Sequence, residues 1–233
     1  MPNTPTPALS VVVPVRDEPL NAIYKIYKEI EAEGWEALII DDGSEVPIPF
    51  AKQRTVPSRG YGAAIKTGVQ LARAELVATM DGDGQHTVAD LKRVMAFFDY
   101  FDVDMVVGDR RLKEPTQLRL WGRKVLNWTA TCFARRWIPD LNSGMRVFRK
   151  KIALGYGPIL CDGFSYTTTL TLSMLADNYK VDWLPIKVGR RVAGKTHVRL
   201  FRDGWITLQS ILWIGLALRT RKLRETWRAF IHG

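Results

Sequence analysis

Cysteine is scarce. The 233-residue chain has Cys132 and Cys161, whose spacing suits neither a metal knuckle nor a disulfide framework. Both read as reduced thiols of a cytoplasmic protein. No run reaches the ~18 apolar residues that a membrane span requires; the nearest, residues 205–218, is interrupted by Gln209 and Ser210. The start of the chain lacks a charged stretch followed by an apolar one, so no signal peptide is expected. The glycines at 60 and 62 are not followed by Gly-Lys-Ser/Thr, which excludes a Walker-type phosphate loop. Acidic residues are in deficit: 24 against 34 Lys and Arg, a net charge of +10 and a pI of about 9.7. That surplus suits anionic lipid, nucleic acid or a phosphorylated substrate.

What is present is ordinary for a globular protein: 46% hydrophobic and 25% charged residues. The length allows one sizeable α/β domain and is short for two. Eight tryptophans beside the basic charge point to a membrane surface, where indole rings favour the interface.

Short β-branched runs at 9–15, 36–40, 75–80 and 104–108 read as buried strands. Helical spacing at 18–33, 61–74 and 88–101 alternates with them. The alternation predicts a mostly parallel sheet with helices on both faces. Residues 123–138 and 206–230 are long helical candidates rich in Trp and Arg, and a further strand is expected near 181–188. No internal repeat or linker stands out.

Several of these strands end in acidic or glycine-rich turns, and ligands of open α/β sheets bind at that edge. Asp81-Gly82-Asp83-Gly84-Gln85-His86 follows a strand directly. Two carboxylates flanking a glycine can face one hard cation, Mg²⁺ or Mn²⁺, and Gln85 can add a carbonyl oxygen. By itself the motif reads equally well as a turn; its place at a strand end favours the cation. Asp41-Asp42-Gly43-Ser44 lies on the same edge, where a carboxylate can accept from a nucleobase or ribose. Ser58-Arg59-Gly60-Tyr61-Gly62 opens a helix whose amides can face phosphate.

Together these motifs resemble family 2 glycosyltransferases of GT-A fold, and within them the polyprenyl-phosphate sugar synthases typified by dolichol-phosphate mannose synthase. The resemblance runs from about Val11 to His197. Its carriers are Val13-Pro14-Val15-Arg16-Asp17-Glu18, Asp41-Asp42-Gly43-Ser44, Gly60-Tyr61-Gly62-Ala63-Ala64, Asp81 to His86, Val107-Gly108-Asp109-Arg110, Asn142-Ser143-Gly144-Met145-Arg146 and Arg191-Val192-Ala193-Gly194-Lys195-Thr196. It implies a nucleotide-sugar donor, with Pro14, Glu18 and Asp42 on the nucleoside, Gly62 and Gly82 in the donor-binding turns and Ser143 lining the sugar pocket. Asp81 and Asp83 would take donor and metal, with Gln85 beside them. Arg110 and Arg123 would face the acceptor phosphate, and Arg191 would clamp phosphate. Two departures stand out. Ser58 occupies a position where the family usually has Asn. The stretch from Gly163 to Thr169 ends in Thr where those synthases carry a metal-shell Glu, which leaves the third metal ligand and the donor sugar open.

The missing carboxylate has a chemical reading. A hydroxyl nucleophile needs a general base, whereas a phosphate oxygen is already anionic. The expected acceptor is therefore a polyprenyl phosphate, undecaprenyl- or dolichyl-type, with a UDP-sugar favoured over a GDP-sugar as donor. The alternative acceptor is the hydroxyl of a glycan or other soluble molecule. Leu126, Ala130, Phe133 and Trp137 share one helical face bordered by basic residues, as do Leu216, Leu223, Trp227 and Ile231. Such faces suit an anionic membrane surface. The expected arrangement is a GT-A domain over residues 1–200 and a C-terminal amphipathic segment over 201–233, peripheral on the cytoplasmic face, with room for a separate membrane partner. A nucleic-acid-binding protein would suit the charge, but acidic turns repel nucleic-acid phosphates, so no nucleic-acid partner is expected.

Overall fold

A computed structural model describes residues 6–110, 117–189, 204–214 and 216; the side chains of residues 117–120 and 123 lie outside the description. Seven strands form one sheet: β1 (Ser10–Val15), β2 (Glu36–Asp41), β3 (Gln53–Arg54), β4 (Leu76–Thr79), β5 (Met105–Asp109), β6 (Arg146–Arg149) and β7 (Val181–Pro185). Their order is β3-β2-β1-β4-β6-β5-β7. β1 pairs in parallel with β2 and β4, and β5 with β7. β6 is antiparallel to both of its neighbours, so the sheet is mixed but mostly parallel.

Every residue of β1 and β5 is buried, as covered parallel strands require. The covers are α1 (Leu20–Ala32), α2 (Tyr61–Leu71), α3 (Val88–Tyr100), α5 (Lys150–Tyr156) and α6 (Tyr166–Ala176), while α4 (Gln117–Ala134) packs on α6. α1 turns Ile23, Ile26 and Ile30 to the sheet, and α3 turns in Leu91 and Val94. Thr87 caps α3, its Oγ1 accepting from Asp90 N–H at 3.0 Å. α2 lies on the other layer, so close to β1 that a Cβ on Gly68 would stand 2.3 Å from Val12 Cγ1.

α6 is the least predictable helix. Residues Tyr166 to Met174 are all buried, so it has no polar face to reveal a helical period. A further helix, α7 (residues 204–214), packs Ile211 and Ile214 against Ala130, Ile138, Leu141 and Leu172. The remainder of the expected 206–230 helix lies outside the described residues. No described helix is long and apolar enough to cross a membrane.

The helix expected over 123–138 spans Gln117–Ala134, with Arg135 at φ 52° just beyond it. The expected membrane face is split: Phe133 and Trp137 are exposed, whereas Leu126 and Ala130 turn inward. Ala130 is buried and Leu126 packs against the same cluster. The outward stripe is instead Trp121, Val125, Trp128 and Cys132, spaced 4, 3 and 4 residues apart along one side of a helix.

Candidate active site

Parallel order carries the C-terminal ends of β1, β2, β4 and β5 to one edge, and the reversed β6 brings the residues preceding it to the same edge. The segments collected there are 14–18, 41–44, 81–86, 109–110 and 140–145.

Asp42 fixes the loop that opens α2. Its carboxylate accepts from Ser58 Oγ at 2.6 Å, Arg59 N–H at 2.8 Å and Gly60 N–H at 2.9 Å. Arg16 Nη1 donates to the same Ser58 Oγ at 3.1 Å, which links the end of β1 to this loop through the hydroxyl that stands where Asn was expected. The Glu18 carboxylate accepts from Arg16 N–H. Pro14 and Val15 back the metal-type turn: a Cβ on Gly82 would stand 2.6 Å from Val15 Cγ1 and 3.4 Å from the Pro14 carbonyl oxygen. Gly62 meets the backbone of residues 161–163, where a Cβ would come within 2.2 Å of the Cys161 oxygen.

The Asp81 carboxylate lies against the bare Cα of Gly144, where a Cβ would fall 2.2 Å from Oδ1 and 2.4 Å from Oδ2. Oδ1 accepts from Tyr61 Oη at 2.8 Å. The Asp81 amide donates to His86 Nδ1 at 3.3 Å, holding the turn closed from behind. Asp83 is buried, and its Oδ1 accepts from Gln85 N–H at 3.0 Å. Gln85 is tied to the segment after β7: Gly189 N–H donates to its carbonyl oxygen at 2.9 Å, and its Nε2 reaches toward the Gly189 oxygen at 3.5 Å.

Among the described residues no group of three His, Cys, Asp or Glu side chains converges as a cation cage. Mg²⁺ and Mn²⁺ with nucleotides do not need one, since one or two carboxylates together with substrate phosphates suffice. Asp81 and Asp83, two carboxylates on one strand-end turn, fit that donor set.

Arg110 follows β5 directly. Its Nε is 2.8 Å from Asp140 Oδ2 and its Nη2 is 3.0 Å from Oδ1. Burial works against its charge, but Asp140 outweighs burial, and the Asp81 charge adds to it, so the guanidinium is held even more firmly protonated than usual. Beneath it, Arg146 is wholly buried. Burial pushes its pKa down to about 10. Its N–H groups go to the oxygens of Ser143 at 2.8 Å and Leu141 at 2.6 Å and to Thr171 Oγ1. Arg146 therefore shapes the 141–145 loop from below. Ser143 is fully buried, and its Oγ has no hydrogen-bond partner among the described residues. Thr169 turns its hydroxyl back to the Tyr166 oxygen at 3.0 Å and accepts from Cys161 N–H at 3.3 Å. The Arg123 side chain and all of Arg191 lie outside the described residues.

Sequence reasoning placed Asp42, Asp81, Asp83 and Arg110 on this edge and missed the groups that hold them. Tyr61 and Gly144 sat inside recognised motifs without a role. Asp140 gave no signal, because an acidic residue after a proline reads as an ordinary turn.

The model of the family described as Glycosyl transferase family 2 matches residues 10–157. The chain belongs to this family. An uncharacterized glycosyltransferase of Mycobacterium tuberculosis is 30% identical over 201 residues, covering 82% of this chain and 89% of the relative. The dodecaprenyl-phosphate galacturonate synthase of Rhizobium johnstonii is 25% identical over 167 residues, covering 62% of this chain and 48% of that protein; the chain thus spans about half of that relative. Among solved structures, glucosyl-3-phosphoglycerate synthase of Mycobacterium tuberculosis, in complex with Mn²⁺, uridine diphosphate and glucosyl-3-phosphoglycerate, superposes with a TM-score of 0.68. It is 13% identical, with 89% of this chain and 80% of that one covered. The GT-A expectation therefore holds for the fold, and glycosyl transfer is the activity of the family.

Proposed function

We propose that this glycosyltransferase moves a sugar from a nucleotide sugar, a UDP-sugar in preference to a GDP-sugar, to a polyprenyl phosphate at the cytoplasmic face of a membrane. The observation that carries the reading is the meeting, at one sheet edge, of the Asp81–Asp83 turn with Arg110, a cation held in place by Asp140. The turn suits the donor's diphosphate with Mg²⁺ or Mn²⁺, and a fixed guanidinium suits an anionic acceptor. Relatives named for polyprenyl-phosphate substrates, such as the Rhizobium synthase, support the acceptor class, and the uridine diphosphate in the M. tuberculosis structure supports the donor class.

When bound, the cation would neutralise charge developing on the leaving diphosphate. The chain's own contribution is positioning. Asp81 and Asp83 orient the donor complex, Asp42 holds the loop at α2, and Arg110 draws the second anion in line with the anomeric carbon. The family resemblance implies the same acceptor duty for Arg123 and a phosphate clamp for Arg191. The carboxylates at this edge are already engaged: Asp42 with three donors, Asp140 with Arg110, and Asp41 with Ser44 N–H at 2.8 Å and Arg54 Nε at 3.2 Å. A phosphate acceptor requires no base from them. Direct displacement by that acceptor inverts the anomeric carbon.

Support for the membrane surface comes from five exposed tryptophans on or beside α4 and α7: Trp121, Trp128, Trp137, Trp205 and Trp213. Lys124 and Arg135 are exposed beside them. Each basic residue near an anionic leaflet contributes about 1 kcal/mol.

The test is a panel of UDP- and GDP-sugars with undecaprenyl and dolichyl phosphate and Mn²⁺, scored by product in the organic phase and by anomeric NMR. Inverted glycosyl lipid is expected. Equal transfer to a water-soluble hydroxyl acceptor would replace this reading with a glycan-directed one.

A further inference from the structure

Asp81 is confined on three sides. Gly144 leaves its carboxylate flat against backbone, with no Cβ to push it away. The His86 ring stands behind its amide, with Nδ1 3.7 Å from Oδ2. The remaining freedom is rotation of the carboxylate about its own axis, and the Tyr61 hydroxyl, 2.8 Å from Oδ1, selects one orientation.

Tyr61 is well placed to do this rigidly. It is the first residue of α2, a helix seated on β1 through the Gly68–Val12 contact. Its ring stacks on Phe164, with centroids 5.6 Å apart and planes 20° apart. A phenylalanine would fill the same volume and keep the stack, so the oxygen is separable from the packing.

We propose that Tyr61 is a positioning residue of the donor site: its hydroxyl fixes the orientation in which the Asp81 carboxylate is presented to the cation and diphosphate. This rests on the reading of Asp81 as a donor and metal carboxylate. Groups that orient a metal-ligating carboxylate commonly govern affinity as strongly as geometry does, with about 10–100-fold lost on their removal.

The experiment titrates Mn²⁺ into full-length wild type, Tyr61→Phe and Phe164→Leu, each with UDP, following free Mn²⁺ by electron paramagnetic resonance. Thermal midpoints and the Mn²⁺ dependence of turnover are measured in parallel. Tyr61→Phe is expected to bind Mn²⁺ at least about 10-fold more weakly with its melting temperature retained. Its turnover should be largely recovered at saturating Mn²⁺. Phe164→Leu should leave Mn²⁺ affinity within a factor of about 3 of wild type, since the hydroxyl is kept. Wild-type affinity in Tyr61→Phe overturns the proposal, as does an equal loss in Phe164→Leu, which would make the effect one of packing. If wild type itself binds no Mn²⁺ with UDP, the donor-site reading fails first and this inference falls with it.

Discussion

Arg110 and Asp140, 30 residues apart in sequence, form a two-pronged ion pair in which Nε and Nη2 of the guanidinium each meet one carboxylate oxygen. Asp140 is 1% exposed, so the pair lies largely out of water. Removing one partner of such a pair leaves a buried charge uncompensated, at a cost of about 3–5 kcal/mol. Asp140→Asn should accordingly lower the unfolding free energy by about 3 kcal/mol in urea titrations. Arg110→Lys, which keeps charge but not the fork, should reduce acceptor turnover by about 100-fold through misplacement. Its UDP–Mn²⁺ affinity, measured calorimetrically, should be little changed.

Asp83 accepts the Gln85 N–H at the strand-end turn, and an asparagine keeps an oxygen for that bond, so Asp83→Asn should spare the fold. Asp83→Asn is expected to cut turnover by on the order of 1000-fold, the scale of several kcal/mol of electrostatic stabilisation. Circular dichroism should show an unchanged melt. Wild type should lose activity in EDTA and regain it with Mn²⁺ or Mg²⁺.

Gly144 tests the geometry of Asp81 from the opposite side to Tyr61. An alanine there would place Cβ 2.2 Å from Oδ1, so the carboxylate must move. Gly144→Ala should cost about 1–3 kcal/mol of stability by overpacking and weaken Mn²⁺–UDP binding by about 10-fold or more. Paired thermal melts and metal titrations would record both.

The two faces of α4 give opposite expectations. Trp121→Ser with Trp128→Ser, on the exposed stripe, should change stability by no more than about 0.5 kcal/mol and release the protein from anionic vesicles in a sedimentation assay. Leu126→Ser, on the packed face, should destabilise without a specific effect on vesicle binding per folded molecule. Donor hydrolysis should survive in the tryptophan pair.

The contrast between those faces shows where sequence reading stopped. Periodicity found an apolar stripe along 126–137, but a stripe does not say which side is wet, and α4 has apolar residues on both. The parallel half of the sheet was legible because its strands are continuous apolar runs, two of them followed by Asp-Gly turns. β6 was hidden because it is four residues long and begins with Arg146, a charge that reads as solvent-facing until its three oxygen partners are seen. α6 was hidden because Thr167, Thr168, Thr169 and Thr171 suggest neither helical propensity nor a period. At the candidate active edge, the carboxylates proposed to meet ligands stood in motifs, whereas Asp140, which meets another side chain, did not.

The Arg110–Asp140 pair also has an architectural meaning. The chain leaves the sheet at Arg110, builds α4 with its tryptophan stripe, and returns to the same point at Asp140, so the excursion is clasped at its base. Such an insert can change length cheaply, since each doubling of a closed loop costs only about 0.6 kcal/mol. Exchange of this insert would carry its outward surface with it, provided the replacement keeps the packing of its inner face on Leu141 and Leu172. In a chimera, grafting should succeed when the two clasp residues travel with the insert and fail when they are split between parents.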